Sequence, residues 1–94
     1  MAVTVYIPTP FRRATANRDR IDVSAPDVVG LLDELERAYG GLRGLVRNEA
    51  GEVHQHVAVY VNSEPIDGLD GLRTALKDGD EVAIIPALAG GAWS

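Results

Sequence analysis

The carboxyl-terminal segment IPALAGGAWS, residues 85–94, contains the residues whose order could do chemistry. An apolar run typical of a strand leads into a pair of glycines, and three residues that include the only tryptophan follow. Glycine lacks a Cβ atom and fits where a cleft is narrow. Five residues can extend about 17 Å, which is long enough to enter another protein's cleft. The segment is therefore either an ordinary frayed terminus or a working tail, whose entering part is Ala87, Leu88, Ala89, Gly90 and Gly91.

Two other groups of side chains suggest metal sites but lack the pattern that such sites need. His54 and His56 have the spacing of two residues on one side of a strand, yet no third ligand accompanies them, and zinc or copper takes three or four donors. Asp78, Asp80 and Glu81 surround one glycine, whereas a calcium loop spreads its ligands over about twelve residues. We expect exposed histidines at a strand edge and a solvated turn, and we predict no metal site.

The composition excludes several classes of function. The chain has 94 residues, a formal net charge of −5 and no cysteine, so it offers no thiolate nucleophile or ligand and should not bind nucleic acid or anionic membranes. No phosphate-binding glycine motif or nucleophile elbow occurs. We predict no catalytic residue and hence no enzyme. One basic stretch could bind a phosphate or an acidic partner, although solvation is the stronger interpretation: Arg12, Arg13, Arg18 and Arg20.

The hydrophobic pattern predicts four strands and one helix. Alternating apolar residues indicate strands at VTVYI (3–7), RIDVS (20–24), HVAVYVN (56–62) and EVAIIPAL (81–88). Residues 24–41 have apolar side chains at helical spacing. Ser24 followed by Asp27 resembles a capping box, and Gly40 suits the position after the helix. We expect an irregular loop from Gly41 to Gln55 and a turn at NSEP (62–65).

These elements predict a two-layer α+β domain. A helix with one apolar stripe buries it on one face of a sheet, and the strands that flank the helix can lie on either side of a central pair formed by the first and last strands. This is the β-grasp, or ubiquitin-like, arrangement, a mixed sheet packed on one main helix. We assign residues 1–87 to this domain and residues 88–94 to a flexible tail. No segment resembles a signal peptide or a membrane span, and we expect a cytoplasmic protein.

Four segments together resemble the ubiquitin-like sulfur carriers, the family of the thiamine sulfur carrier and the small subunit of molybdopterin synthase. They are VTVYIPTPFR, LERAYGG, HVAVYVNSE and GLRTALKDGDEVAIIPALAGG, and they are most similar to the cysteine-biosynthesis members. The resemblance covers nearly the whole chain. The last segment is the most specific, because its turn, strand, proline and glycine pair come in the family's order.

The resemblance implies a carrier whose reactive group is the main-chain carboxylate of Gly91. An E1-like activating enzyme would use ATP and magnesium to adenylate it, since a free carboxylate is a poor electrophile. A sulfur donor would displace AMP and leave a thiocarboxylate, which would pass its sulfur to an acceptor synthase, for example one that depends on pyridoxal phosphate. The carrier itself would bind no cofactor. Sulfur carried on the main chain would also explain the absence of cysteine.

The sequence departs from the family pattern after the glycine pair. In mature carriers the last glycine is terminal, whereas here its carboxyl forms a peptide bond with Ala92. Some members are trimmed by a zinc metallopeptidase of the JAMM type, so we expect cleavage between Gly91 and Ala92 and loss of residues 92–94. The similar carrier of cysteine biosynthesis ends at the glycine pair. The extension in this chain therefore slightly favours a role in making a sulfur-containing secondary metabolite.

Two alternative functions remain open at the level of sequence. The first is a ubiquitin-like modifier joined through Gly91 to lysines of other proteins. The second is a subunit of molybdopterin synthase held in a stable complex with a larger chain. Lys77 is the only lysine in the chain, so an activated terminus would meet few amines of its own, which suits any role that depends on an activated carboxylate.

Overall fold

The computed structural model describes residues 2–86. Five strands and one α-helix form the domain: β1 (Ala2–Tyr6), β2 (Arg20–Ser24), α1 (Val28–Ala38), β3 (Val57–Val61), β4 (Glu64–Pro65) and β5 (Glu81–Pro86). Short 3-10 helices occupy the connections at Thr9–Thr15, Gly40–Leu42, Ile66–Gly68 and Gly71–Arg73. No helix within residues 2–86 is long and apolar enough to cross a membrane.

The strands form one mixed sheet in the order β2-β1-β5-β3-β4. β1 and β5 run parallel at its centre, and the strands that precede and follow the helix, β2 and β3, pair antiparallel on either side of them. The predicted α+β, β-grasp architecture is therefore confirmed. The two-residue strand β4 was not predicted, because a hairpin turn and a very short edge strand share the same polar composition.

Helix α1 covers one face of the sheet with the predicted apolar stripe. Its buried side chains pack against inward-facing residues of β1 and β5 in a single core. The predicted helix start is wrong by three residues. Asp27 itself is the N-cap, and its Oδ1 accepts a hydrogen bond from the Gly30 amide at 2.8 Å. Ser24 is instead the last residue of β2, so it lies in the strand and does not cap the helix.

The predicted loop from Gly41 to Gln55 contributes to the core. Leu42 and Val46 are buried, and they extend the core between the sheet and α1. Arg47 holds this loop to the helix: its Nε donates to Glu36 Oε2 at 2.9 Å and its Nη2 to Asp33 Oδ1 at 2.7 Å. The hydrogen bond with Glu36 is the main reason that the pKa of Arg47 is raised.

The connection from β1 to β2 is also ordered. It forms the 3-10 helix Thr9–Thr15. The Thr15 side chain is fully buried, and its hydroxyl donates to the Arg18 carbonyl at 2.9 Å. A buried hydroxyl with a main-chain acceptor satisfies its hydrogen-bonding capacity locally, so a polar segment can close over the core.

Candidate functional site

The residues predicted to do the chemistry, from Ala87 through Gly90 and Gly91 to Ala92, lie outside the described residues, as does the predicted domain boundary at 87/88. The structure describes the place from which they continue, the end of β5 at Pro86. β5 is the central strand of the sheet, paired with β1 on one side and β3 on the other. The described part of the chain therefore ends on the central strand, which is paired on both sides.

Pro86 ends this strand without leaving an unsatisfied donor. The Thr4 amide donates to the Asp80 carbonyl, and the Asn62 amide donates to the Glu81 carbonyl. Because peptide groups alternate direction along a strand, Pro86 directs its nitrogen towards the β1 side. β1 has already ended there, since its register with β5 stops at Tyr6 opposite Ala83. A proline is tolerated where no ladder bond is needed.

An apolar groove lies beside the point where the chain leaves. It lies between the end of β5 and the segment after β1, and the outward-phase residues Tyr6 and Ile85 contribute to its lining. Ile85 is 36% exposed, and Arg12 is the only charged residue among residues 2–86 that lines the groove. The Arg12 Nε donates to the Ile7 carbonyl at 3.1 Å, which holds the stem of the side chain against the groove. The principal apolar lining comes from Tyr6, Pro8, Pro10, Ile85 and Pro86.

The sequence contains a local signal for this groove. In a strand with one buried face, residues of the opposite phase are normally polar. Tyr6 and Ile85 occupy that outward phase in β1 and β5. Pro8 lies two residues after Tyr6, and Pro86 directly follows Ile85. Apolar residues in the outward phase next to a proline indicate a surface that contacts something other than the protein's own core.

The two histidines are not brought together as a metal site. Both precede β3 rather than lying in it, so the predicted strand-edge position is wrong. His54 is half-buried and its Nε2 lies 2.8 Å from the Gly44 carbonyl oxygen, whereas His56 is exposed. Within residues 2–86, no cluster of three or more His, Asp or Glu side chains is placed to hold a metal ion.

The carboxylates at the start of β5 have structural partners. Asp78 Oδ1 accepts a hydrogen bond from the Ala2 amide at 2.9 Å. Asp80 accepts two, from the Asn62 side-chain amide at 3.0 Å and from the Lys77 main-chain amide at 2.7 Å. Gly79 between them has φ +89°, a conformation that glycine adopts without strain. These residues form a turn that fixes the beginning of β5, at the opposite end of the strand from Pro86.

Comparison with known proteins identifies relatives over the full described domain. The sequence profile of the ThiS family matches residues 5–91. The match includes the glycine pair and ends at the second glycine, so residues 92–94 lie beyond it.

Individual relatives agree with the family match. The sulfur carrier protein CysO of Mycobacterium tuberculosis is 39% identical over 93 residues, which cover 97% of this chain and all of the relative. Small archaeal modifier protein 3 of Haloferax volcanii is 46% identical over 72 residues, which cover 77% of this chain and 76% of the relative.

The fold has a close match among solved structures. It superposes on a chain of the Amycolatopsis orientalis BexX/CysO complex with a TM-score of 0.88 and 36% identity, covering 96% of this chain and all of the other.

Proposed function

The chain belongs to the ThiS family of ubiquitin-like sulfur carriers, and we propose from that premise that it carries sulfur on its main-chain terminus at Gly91. The observation that carries the proposal is the end of the family match at Gly91. The described domain supports it, because its central strand β5 ends at Pro86, five residues before that glycine.

The proposed chemistry takes place in partner enzymes. An E1-like enzyme would transfer AMP from ATP to the Gly91 carboxylate with release of pyrophosphate, using magnesium. A sulfur donor would then displace AMP, forming a carbon–sulfur bond as the carbon–oxygen bond to AMP breaks. The thiocarboxylate so formed would be an anion and a nucleophile that attacks an activated substrate in the acceptor enzyme. No side chain of the carrier takes part in these steps.

Removal of residues 92–94 would have to come first. While Gly91 is linked to Ala92, its carbonyl is an amide and offers no carboxylate to adenylate. We propose that a peptidase, of the JAMM zinc type in the related carriers, cleaves this bond. The extension would then act as a cover that keeps the carrier inactive until it is removed.

The groove beside Pro86 is the surface that we assign to partner enzymes in this function. It lies beside Pro86, the last described residue, and its lining is mainly apolar but includes Thr9 and Arg12. A partner that packs against Tyr6 and Ile85 would hold the first residues of the tail in a fixed direction. The remaining five residues to Gly91 can span about 17 Å when extended, which is long enough to enter a partner's cleft.

The sulfur acceptor is proposed only by class. The similarity to CysO favours a synthase that builds cysteine, whereas the extension after Gly91 favours a synthase that makes a sulfur-containing metabolite. The solved Amycolatopsis orientalis BexX/CysO complex contains a carrier similar to this chain bound to another protein, which supports the broader idea that this chain docks on a partner.

A second candidate function is protein modification through Gly91. It is favoured by the 46% identity to small archaeal modifier protein 3. Covalent ladders on an affinity-tagged chain would indicate the modifier, and a single thiocarboxylated species would indicate the carrier. A stable complex with a larger subunit on purification would indicate the third role, a subunit of molybdopterin synthase.

The decisive experiment compares the full chain with a variant that ends at Gly91. Each is incubated with an activating enzyme of the family, ATP, magnesium and hydrosulfide, and the intact mass is measured. We expect the shortened chain to gain the mass difference of one sulfur replacing one oxygen and the full chain to remain unchanged. A matched control that ends at Gly90 tests whether the position of the terminus matters, and it should react poorly.

Two results would contradict the proposal. One is formation of a thiocarboxylate on a chain that still carries residues 92–94. The other is failure of the shortened chain to react with an enzyme that activates a mature relative under the same conditions.

A further inference from the structure

The sheet has an open edge at β2 that the proposed function does not use. β2 pairs with β1 on one side, and no strand within residues 2–86 pairs with its other side. The opposite edge of the sheet is the two-residue strand β4, which is too short to act as a template. β2 is five residues long and is therefore the edge on which an additional strand could form.

The register shows which main-chain groups face this edge. Because Thr4 directs its peptide group towards β5, its neighbours Val3 and Val5 direct theirs towards β2. Val3 and Val5 lie opposite Val23 and Ile21, and these pairs exchange the ladder hydrogen bonds. The peptide groups of Arg20 and Asp22 consequently point away from β1, towards the open edge.

A groove of about 670 Å³ lies between this edge and the carboxyl-terminal half of α1. Its apolar lining includes Val23 and Tyr39, both half-buried. An added strand alternates its side chains between the two faces of the sheet, so every second residue would enter this groove. The site therefore combines main-chain donors and acceptors at the edge with an apolar floor for alternate side chains.

The charges at the groove select an acidic occupant. Of the two carboxylates that line it within residues 2–86, Glu34 pairs with Arg37. Asp22 Oδ1 accepts a hydrogen bond from the uncharged Thr4 hydroxyl, so Asp22 is the one negative charge without a cationic partner beside the groove's arginines. Arg18 and Arg20 also line the groove, and neither forms a salt bridge within residues 2–86. In a chain of net charge −5, two arginines without a carboxylate partner at one site indicate an anionic ligand group.

From these observations we infer that the β2 edge binds an extended segment of a partner protein that carries alternating apolar residues and an acidic cluster at the Arg18–Arg20 end. The segment adds as a sixth strand, and its apolar residues lie in the groove against α1. A second copy of this chain fits less well, because antiparallel pairing centred on Asp22 would place two like charges opposite each other. The inference does not depend on the chemistry at Gly91.

The test uses a synthetic peptide of the sequence Asp-Glu-Glu-Val-Thr-Val-Thr-Val and the full chain labelled with ¹⁵N. We expect amide shift changes at residues 18–24 and 35–39, with slower hydrogen exchange of the Asp22 amide in the complex. A peptide with lysines in place of the three acids is the matched control and should bind much more weakly. Shift changes centred on Tyr6 and Ile85 would overturn the inference, as would the absence of binding.

Two variants test separately how the arginine charges and the main-chain groups of β2 contribute to peptide binding. R18E/R20E should weaken binding about tenfold, as expected for loss of two surface charge pairs, whereas R73E, which lies outside the groove, should not. Asp22→Pro removes a donor from the open edge while leaving the ladder to β1 intact, and it should also weaken binding. Circular dichroism and thermal unfolding establish that each variant folds.

Unchanged binding in both groove variants would refute the inference. Sedimentation of the chain alone addresses the competing occupant. A concentration-dependent dimer that Asp22→Pro abolishes would assign the edge to self-association and would overturn the proposed partner segment.

Discussion

Asn62 and Asp80 join two turns that are far apart in the sequence: the Asn62 side-chain amide donates to Asp80 Oδ1 at 3.0 Å. Asn62 also accepts a hydrogen bond from the Glu81 amide at 3.0 Å. The β3–β4 turn is thereby fastened to the first residue of β5. One end of β5 is fixed by these bonds, and the other end leads to the tail.

The first prediction concerns the titration of Asp80. The hydrogen bond from Asn62 is the main cause of its lowered pKa, followed by the bond from the Lys77 amide. A carboxylate with a lowered folded pKa stabilises the fold above its unfolded pKa, near 3.8, and that contribution is lost as the pH falls through the folded pKa. Asn62→Gly should raise the pKa of Asp80 towards its ordinary value, because glycine removes the donor while tolerating φ 50° at this position.

The measurement is an NMR titration of the Asp80 side-chain carboxyl carbon in both proteins. Denaturant unfolding as a function of pH provides the second readout. The wild type should lose more stability than Asn62→Gly on acidification below pH 3.8. Equal Asp80 pKa values in the two proteins would show that Asn62 is not the main cause.

The second prediction compares two arginines that both pair with carboxylates of α1. The Arg47 side chain is 11% exposed and bonds to two helix carboxylates, whereas that of Arg37 is 74% exposed and pairs with one. Arg47→Ala leaves the half-buried Glu36 without its partner and should destabilise the fold by about 1–3 kcal/mol. Arg37→Ala is the control and should leave the unfolding midpoint nearly unchanged. Equal effects in urea unfolding would contradict this account.

The third prediction concerns the N-cap of α1. Asp27→Ala removes the acceptor of the Gly30 amide and should lower the unfolding free energy by about 1 kcal/mol. Asp27→Asn keeps an acceptor oxygen and should retain most of the stability. Gly30→Ala should also lower the unfolding free energy, because a Cβ at this position would lie 2.9 Å from Asp27 Oδ1 and disturb the cap. Thermal unfolding of the three variants orders them, and a stabilised Gly30→Ala would show that the cap yields easily.

The sequence predicted the parts of the fold that alternation and helical spacing control. Val82 and Ile84 are buried as their phase in β5 predicted, and Leu31, Leu32 and Leu35 form the core face of the helix. The regular elements could be found because each has one buried face, which imposes a period on its own residues.

The parts that were missed depend on contacts between distant segments. Nothing local marks Leu42 and Val46 as core residues, because the loop that carries them has no period, and their burial depends on the end of α1. The same holds for Arg47, whose partners lie 11 and 14 residues earlier. The tail stays a prediction from its order of residues and its resemblance to a family, neither of which requires the domain's tertiary contacts.

The last prediction uses the position of the only lysine. Lys77 precedes β5, and the six residues of that strand extend about 20 Å at 3.3 Å per residue. The lysine therefore lies near the opposite end of the strand from Pro86, and an activated Gly91, with a reach of about 17 Å beyond residue 86, has no lysine amine of its own close by.

Arg12→Lys would place an amine in the groove beside Pro86 and should allow the activated terminus to form an internal amide. The product would appear as loss of one water from the intact mass of the chain that ends at Gly91, after incubation with activating enzyme and ATP without hydrosulfide. Arg37→Lys, on the exposed face of α1, is the matched control and should give no such product; internal amide in both variants, or in neither, would show that the separation of Lys77 from the terminus does not protect the activated carboxylate.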